Sequence, residues 1–123
     1  MWNHRARILV LRVMWLVGAL IVIVGSLLPA DSAPMHAVNS LYMNDKVEHG
    51  LAYAMLAFLP TLHESYRTAG LFIMAAAIMG ILLEYGQMYS PGRSFDLQDM
   101  RADFTGLLIG GLAGACLRQL IRK

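Results

Sequence analysis

The chain has 123 residues, 58% of them hydrophobic and 15% charged, with a formal net charge of +2. Soluble domains average roughly 45–50% apolar and about 25% charged, and a domain this small has too little interior to hide the excess. The figures exclude a disordered chain and a water-soluble enzyme, and place the sequence among integral membrane proteins as one small domain, 1–123.

The first apolar run covers 8–28, opened by Arg5, Arg7 and Arg12 and ended by Pro29. It is longer than the roughly 7–15 residues of a signal-peptide core, and the small residues after it make poor cleavage points, so an uncleaved anchor helix is expected. Residues 31–44 form a polar loop with room for a short interfacial helix. A second run covers 47–62, with Glu48 and His49 in its first turn, and 63–68 read as a polar turn. The third run, 69–89, carries Glu84 and Gln87 near its end and leads into the loop Ser90-Pro91-Gly92-Arg93-Ser94. The last run, from Phe104 to Leu117, is too short to cross a core of about 30 Å unless its helix starts near Asp96 or Asp99. That gives a span of 99–120, with Ser94 or Asp96 as N-cap. The fold class expected is therefore all-α, a four-helix transmembrane bundle. The single cysteine, Cys116, rules out an intrachain disulfide and is expected as a small buried hydrophobe. The methionines read as lipid-facing or core filler, and Tyr42, Tyr85 and Tyr89 as an interfacial aromatic belt.

Four spans put both termini and Arg67 on one side. That side holds Arg5, Arg7, Arg12, Arg67, Arg118, Arg122 and Lys123, while Lys46, Arg93 and Arg101 lie on the other. The positive-inside rule makes both termini cytoplasmic. The acidic residues sort the other way, with Glu64 alone inside.

The same topology gathers three polar segments at the outer side, where ionisable groups at membrane depth mark functional sites by default. Lys46, His49 and Tyr53 stand at i, i+3 and i+7, one stripe of a helix, with Asp45 one turn before His49. Glu84 and Gln87 are i, i+3. Asp96, Asp99, Asp103, Gly106 and Gly110 advance by steps of three and four, so carboxylates and glycines share a face. Gly106, Gly110 and Gly114 also form a small-xxx-small series, which packs helices closely inside one chain or makes a homo-oligomer seam.

The ordered set Asp45-Lys46-x-x-His49-x-x-x-Tyr53, Glu84-x-x-Gln87, Arg93-Ser94-x-Asp96-x-x-Asp99 and Gly106 resembles the VanZ-like family over roughly residues 45–111. The resemblance implies a small multi-pass protein of the bacterial cytoplasmic (inner) membrane, in a family whose namesake is associated with resistance to glycopeptide antibiotics of the teicoplanin type. Asp103 stands where the family often has asparagine, which adds a negative charge.

Two readings of the polar set follow. In the first it is an outward-facing site that binds or modifies an envelope molecule, such as a lipid-linked or cell-wall precursor. His49 and Glu84 would be the acid and base. Lys46 and Arg93 would hold a phosphate or carboxylate, and Asp96, Asp99 and Asp103 would orient the basic groups or hold a cation, beside Tyr53 and Gln87. In the second the same residues are a structural ion-pair network, with Glu84 bridged to Lys46 or Arg93, in a non-catalytic membrane scaffold. No cofactor motif and no compact metal-ligand motif appears, and four helices without a repeat offer little for alternating access. Membrane lipids are the expected surroundings, and nucleic acid is not an expected partner.

Overall fold

The computed structural model describes every residue except 2, 30 and 40–44, and only the backbone of 38, 39 and 45. It contains α1 (His4–Leu27), a short α2 (Ala33–Asn39), α3 (Asp45–His63), α4 (Tyr66–Gly86, continued by a 3-10 turn Gln87–Tyr89) and α5 (Leu97–Arg122). No strand occurs among the described residues, in keeping with the all-α expectation. Among the described residues, three segments are long and apolar enough to cross a membrane: α1, Tyr66–Tyr89 and α5. α3 has 19 residues and carries its charges in the first turn. α1, α4 and α5 extend beyond their apolar runs because polar side chains close their starts. The Asn3 side chain accepts from Ala6 N–H and starts α1 before the run begins. Ser65 caps α4 in the same way, and Asp96 caps α5. Tyr42 lies outside the described residues, while Tyr85 and Tyr89 are both exposed near the end of α4.

α3 packs against α1, α4 and α5 and is the centre of the fold. Its seam with α5 is parallel and in register. Gly106 abuts Gly50, Gly110 abuts Ala54, and Gly114 abuts Phe58, each glycine against a main-chain carbonyl of α3. An added Cβ at Gly106 or Gly110 would overlap that carbonyl, so small residues are required there to bring the two backbones together. The glycine series therefore packs within the chain. Its stripe continues through buried Leu107 and Arg118. Cys116 lies off that stripe and is exposed, which corrects the expectation of burial.

The core proper joins Trp15 and Ala19 of α1, Tyr53, Leu56 and Ala57 of α3, Ala76 of α4 and Leu107 of α5. Trp15 makes an edge-to-face contact with Phe72 at 4.8 Å. Its indole N–H also donates to the Leu56 carbonyl at 2.8 Å. Pro60 stands four residues after Leu56 inside α3 and has no N–H to offer that carbonyl. The indole takes the place of the missing helical donor.

The end of α3 is closed from two other helices. Arg118 of α5, itself buried, donates through Nη1 to the carbonyls of Thr61, at 3.3 Å, and Glu64, and stacks over the Tyr66 ring at 4.4 Å. Arg12 of α1 makes a two-pronged pair with the buried Glu64 carboxylate, at 2.7 and 3.1 Å. Arg12 and Arg118, read from sequence as orientation signals, are thus tied into the fold.

Two outcomes are expected. Gly110→Ala should lower membrane abundance and melting temperature in detergent, costing about 1–3 kcal/mol or more by overpacking. Gly111→Ala should be neutral or stabilising, since its Cβ would meet Ile73 Cδ1 at an ordinary 3.7 Å. The second outcome concerns pH. The hydrogen bond from Arg12 is the main cause holding the Glu64 carboxyl below its ordinary value of 4.5. A lowered value in the folded chain stabilises the fold fully above that ordinary value, and the contribution is lost as pH falls through the folded value. The melting-temperature advantage of the unaltered chain over Glu64→Gln should therefore be constant above about pH 5 and shrink in more acidic buffer. An advantage that grows on acidification would contradict the pairing.

Candidate functional site

The polar segments meet where α3 and α5 begin and α1 and α4 end. Parallel packing of α3 on α5 places the first turns of both side by side, and Lys46 bridges them. Its ammonium is 2.7 Å from Asp96 Oδ2 and also pairs with Asp99. That hydrogen bond, with the Gln98 backbone N–H adding to it, holds the Asp96 carboxyl below its ordinary range. One turn on, His49 Nδ1 lies 2.8 Å from Asp103 Oδ1, and Nε2 lies 3.8 Å from Asp99 Oδ2. An ionised carboxylate only accepts, so a charged Asp103 orients the ring by taking a hydrogen bond from Nδ1. Asp99 and Asp103 are 6% and 3% exposed, whereas Lys46 and Asp96 remain partly open to the surroundings. The Asp45 side chain, expected one turn before His49, lies outside the described residues.

Tyr53 is buried opposite Gly80 of α4. A Cβ at Gly80 would come within 3.1 Å of the Tyr53 ring and hydroxyl and 3.3 Å of Asp103 Oδ2, so the missing side chain admits both groups to the seam. Glu84, fully buried, does not form the ion pair with Lys46 or Arg93 that the structural reading anticipated. Its Oε1 accepts the backbone N–H of Asp96 at 2.6 Å. A carboxylate at the start of α5 satisfies an N–H group left over at a helix N-terminus and opposes the positive end of the helix dipole.

Gln87 and Arg93 are turned to α1. The last four carbonyls of a helix lack intrahelical partners, and here each finds a side chain. Arg93 Nη2 donates to Gly25 and Arg93 Nε to Leu28, both at 3.1 Å. Gln87 Nε2 donates to Ser26 at 3.1 Å and Ser90 Oγ to Leu27 at 2.8 Å. Ser90 was not singled out from the sequence. Its only signal there is its place between Gln87 and Arg93, since a carbonyl acceptor leaves no mark on residue type.

A cavity of about 180 Å³ lies between α1, α3 and the turn after α4. Its polar lining comes from Ser26, Glu48, His49, Tyr53, Gln87 and Arg93. The expected site residues thus divide. His49, Tyr53, Gln87 and Arg93 border the cavity, whereas Lys46, Glu84, Asp96, Asp99 and Asp103 form the network behind it, and His49 belongs to both. Glu48, left out of the expected site, is the acidic wall of the cavity. Among the described residues, no three His, Cys, Asp or Glu side chains are grouped to hold a metal ion.

Replacing Arg93 by alanine leaves the Gly25 and Leu28 carbonyls without these donors. An acceptor without a partner costs about 1–3 kcal/mol when buried, and these two are partly buried, so thermal unfolding in detergent should show a loss of stability at or below that size. Arg93→Lys should restore only part of it, because a point charge cannot reproduce the planar fork that reaches two carbonyls. Equal melting temperatures for Arg93→Ala and the unaltered chain would show that the clamp contributes nothing.

The arrangement rests on Lys46, His49, Tyr53, Glu84, Gln87, Arg93, Asp96 and Asp99 in their sequence order, and these are the residues whose pattern resembled a known family. No curated protein and no solved structure matches the chain. The VanZ/LLP1 family model matches residues 16–118, from the core of α1 to the arginine that closes α3, and the chain belongs to that family.

Proposed function

We propose that this VanZ-family chain crosses the bacterial cytoplasmic membrane four times with both termini inside, and that its cavity faces outward and binds part of an envelope molecule. The fourth crossing is α3. It runs beside α5 in register from Gly50 against Gly106 to Thr61 against Arg118, and a helix packed along a spanning helix for that length spans with it. The orientation follows from the basic residues, seven at the termini and Arg67 against Lys46, Arg93 and Arg101 at the other end. A part in tolerance to teicoplanin-type glycopeptides follows from the family's namesake.

The observation that carries the reading is the placement of His49, with Nδ1 held on Asp103 and the ring at the wall of the cavity. A carboxylate-oriented imidazole facing a cavity can hold or move a proton on a bound molecule. The reading expects His49→Gln to reach the membrane at normal abundance and melt like the unaltered chain, while tolerance to teicoplanin falls to that of cells lacking the protein. Full tolerance in this variant would overturn it. A scaffold role is the second reading, favoured by the internal bonding of Glu84, Gln87 and Arg93. It expects abundance and melting temperature to fall together with tolerance.

A further inference from the structure

We infer that the end of the molecule opposite the cavity binds an anionic phospholipid, with its phosphate among cations gathered round the first turn of α4 and one acyl chain along the exposed face of that helix. The inference stands apart from the reading of the cavity. At this end α1 and α4 begin and α3 and α5 finish. Seven of the ten Lys and Arg residues lie here, against one acidic side chain, Glu64. That carboxylate is already engaged, since Arg12 donates to both of its oxygens.

The fold concentrates the surplus of positive charge. Glu64 sits in the turn between α3 and α4, where Arg12 of α1 reaches its carboxylate and Arg118 of α5 reaches its carbonyl. The two carbonyls and the Tyr66 ring that Arg118 engages carry no formal charge. Its buried Nε–H has no acceptor among the described residues. Arg122 stands one turn further along the same face of α5, and Arg67 follows Tyr66 in α4; both are exposed. The first turn of α4 holds no acidic residue, so the positive end of the helix dipole adds to the arginines. A phosphate group matches such forked, permanently charged donors.

What lies beyond the cations favours a lipid over a soluble anion. Arg67, Leu71, Met74 and Ile78 stand at i, i+4, i+7 and i+11, one stripe of α4. Leu71, Met74 and Ile78 are each more than half exposed. From Arg67 to Ile78 the stripe runs ~16 Å at the helical rise, about half of a bilayer core of ~30 Å. That is the reach of one acyl chain from the head-group level to the middle of the membrane. At Ile78 the stripe meets an apolar groove of about 480 Å³ between α1 and α4, lined also by Ile23, Ala75 and Leu82. Tyr66, exposed at the top of the helix beside Arg118, is the residue type found at the level of lipid head groups. Basic sites between helices at this kind of end are suited to anionic head groups.

The test uses the full chain in detergent micelles, with bound lipid counted by native mass spectrometry. Dioleoylphosphatidylglycerol and dioleoylphosphatidylcholine carry the same chains and one phosphate each, and only the first is an anion. The unaltered chain should retain the phosphatidylglycerol several-fold more than the phosphatidylcholine. Arg67→Gln combined with Arg122→Gln should lower that retention about tenfold. Arg5→Gln combined with Arg7→Gln removes the same charge from the exposed start of α1 and should lower it far less. Should the first pair fail to accumulate, Arg122→Gln alone, in the last turn of α5, should give a loss of about threefold. Soluble glycerol 3-phosphate at constant ionic strength should leave the lipid in place. Equal retention of the two lipids by the unaltered chain would overturn the proposal, and so would equal losses in the two double variants, which would leave only diffuse attraction to a basic end. Displacement by glycerol 3-phosphate would overturn the lipid and assign the cations to a soluble phosphate ester.

Discussion

In an apolar surrounding, every main-chain N–H and C=O must find a partner inside the protein. This requirement accounts for more of the polar sequence than any ligand does. α1 ends on donors from Gln87, Ser90 and Arg93, and α3 ends on Arg118. The first turn of α5 is met by Glu84 and Asp96. In each interhelical case the partner comes from an element distant in the chain or across a loop, so closing a helix end also fixes where its neighbour stands. Charged residues at depth serve here as fasteners of backbone, and Glu84 and Arg118 are buried in that use.

The small residues complement these fasteners. Glycines along α5 let its backbone lie on that of α3, and the same close approach brings Lys46 to Asp96 and Asp99 and His49 to Asp103. A bulkier seam would part the two first turns and separate those groups. The cavity beside them exists because α1, which contributes few residues to the core, is held at its end by side chains and not by close packing along its length. Rigidity on the α3–α5 side and space on the α1–α3 side are thus two results of one distribution of residue sizes.

Much of this was legible in the sequence, for reasons that differ by residue. The steps of three and four joining Asp99, Asp103, Gly106 and Gly110 place them on one helical face whatever lies opposite, and the structure has them buried on that face. The convergence of His49, Glu84 and Arg93 at one end followed from chain direction alone. Their partners did not, because a carbonyl or an amide N–H belongs to every residue. The bonds from Arg93 to the end of α1 were therefore unmarked in the sequence, and Glu84 looked like half of an ion pair when its donor was the main chain of Asp96. Arg12 and Arg118 were hidden differently: a basic residue near a helix end already has a topological explanation, which masked the contacts with Glu64 and with the end of α3. Cys116 was misjudged although the pattern that excludes it was at hand, since residue 116 is off the stripe of Gly110, Gly114 and Arg118.

The proline in α3 has a bearing on how the chain assembles. Alone, that segment would carry the Leu56 oxygen with no hydrogen to meet it, and the indole that meets it sits on the segment made earlier. Synthesis thus delivers the donor before the gap is exposed. The order of helices along the polypeptide spares the emerging proline helix a period alone in oil, and a circular permutation that moved the first helix to the end would take that protection away.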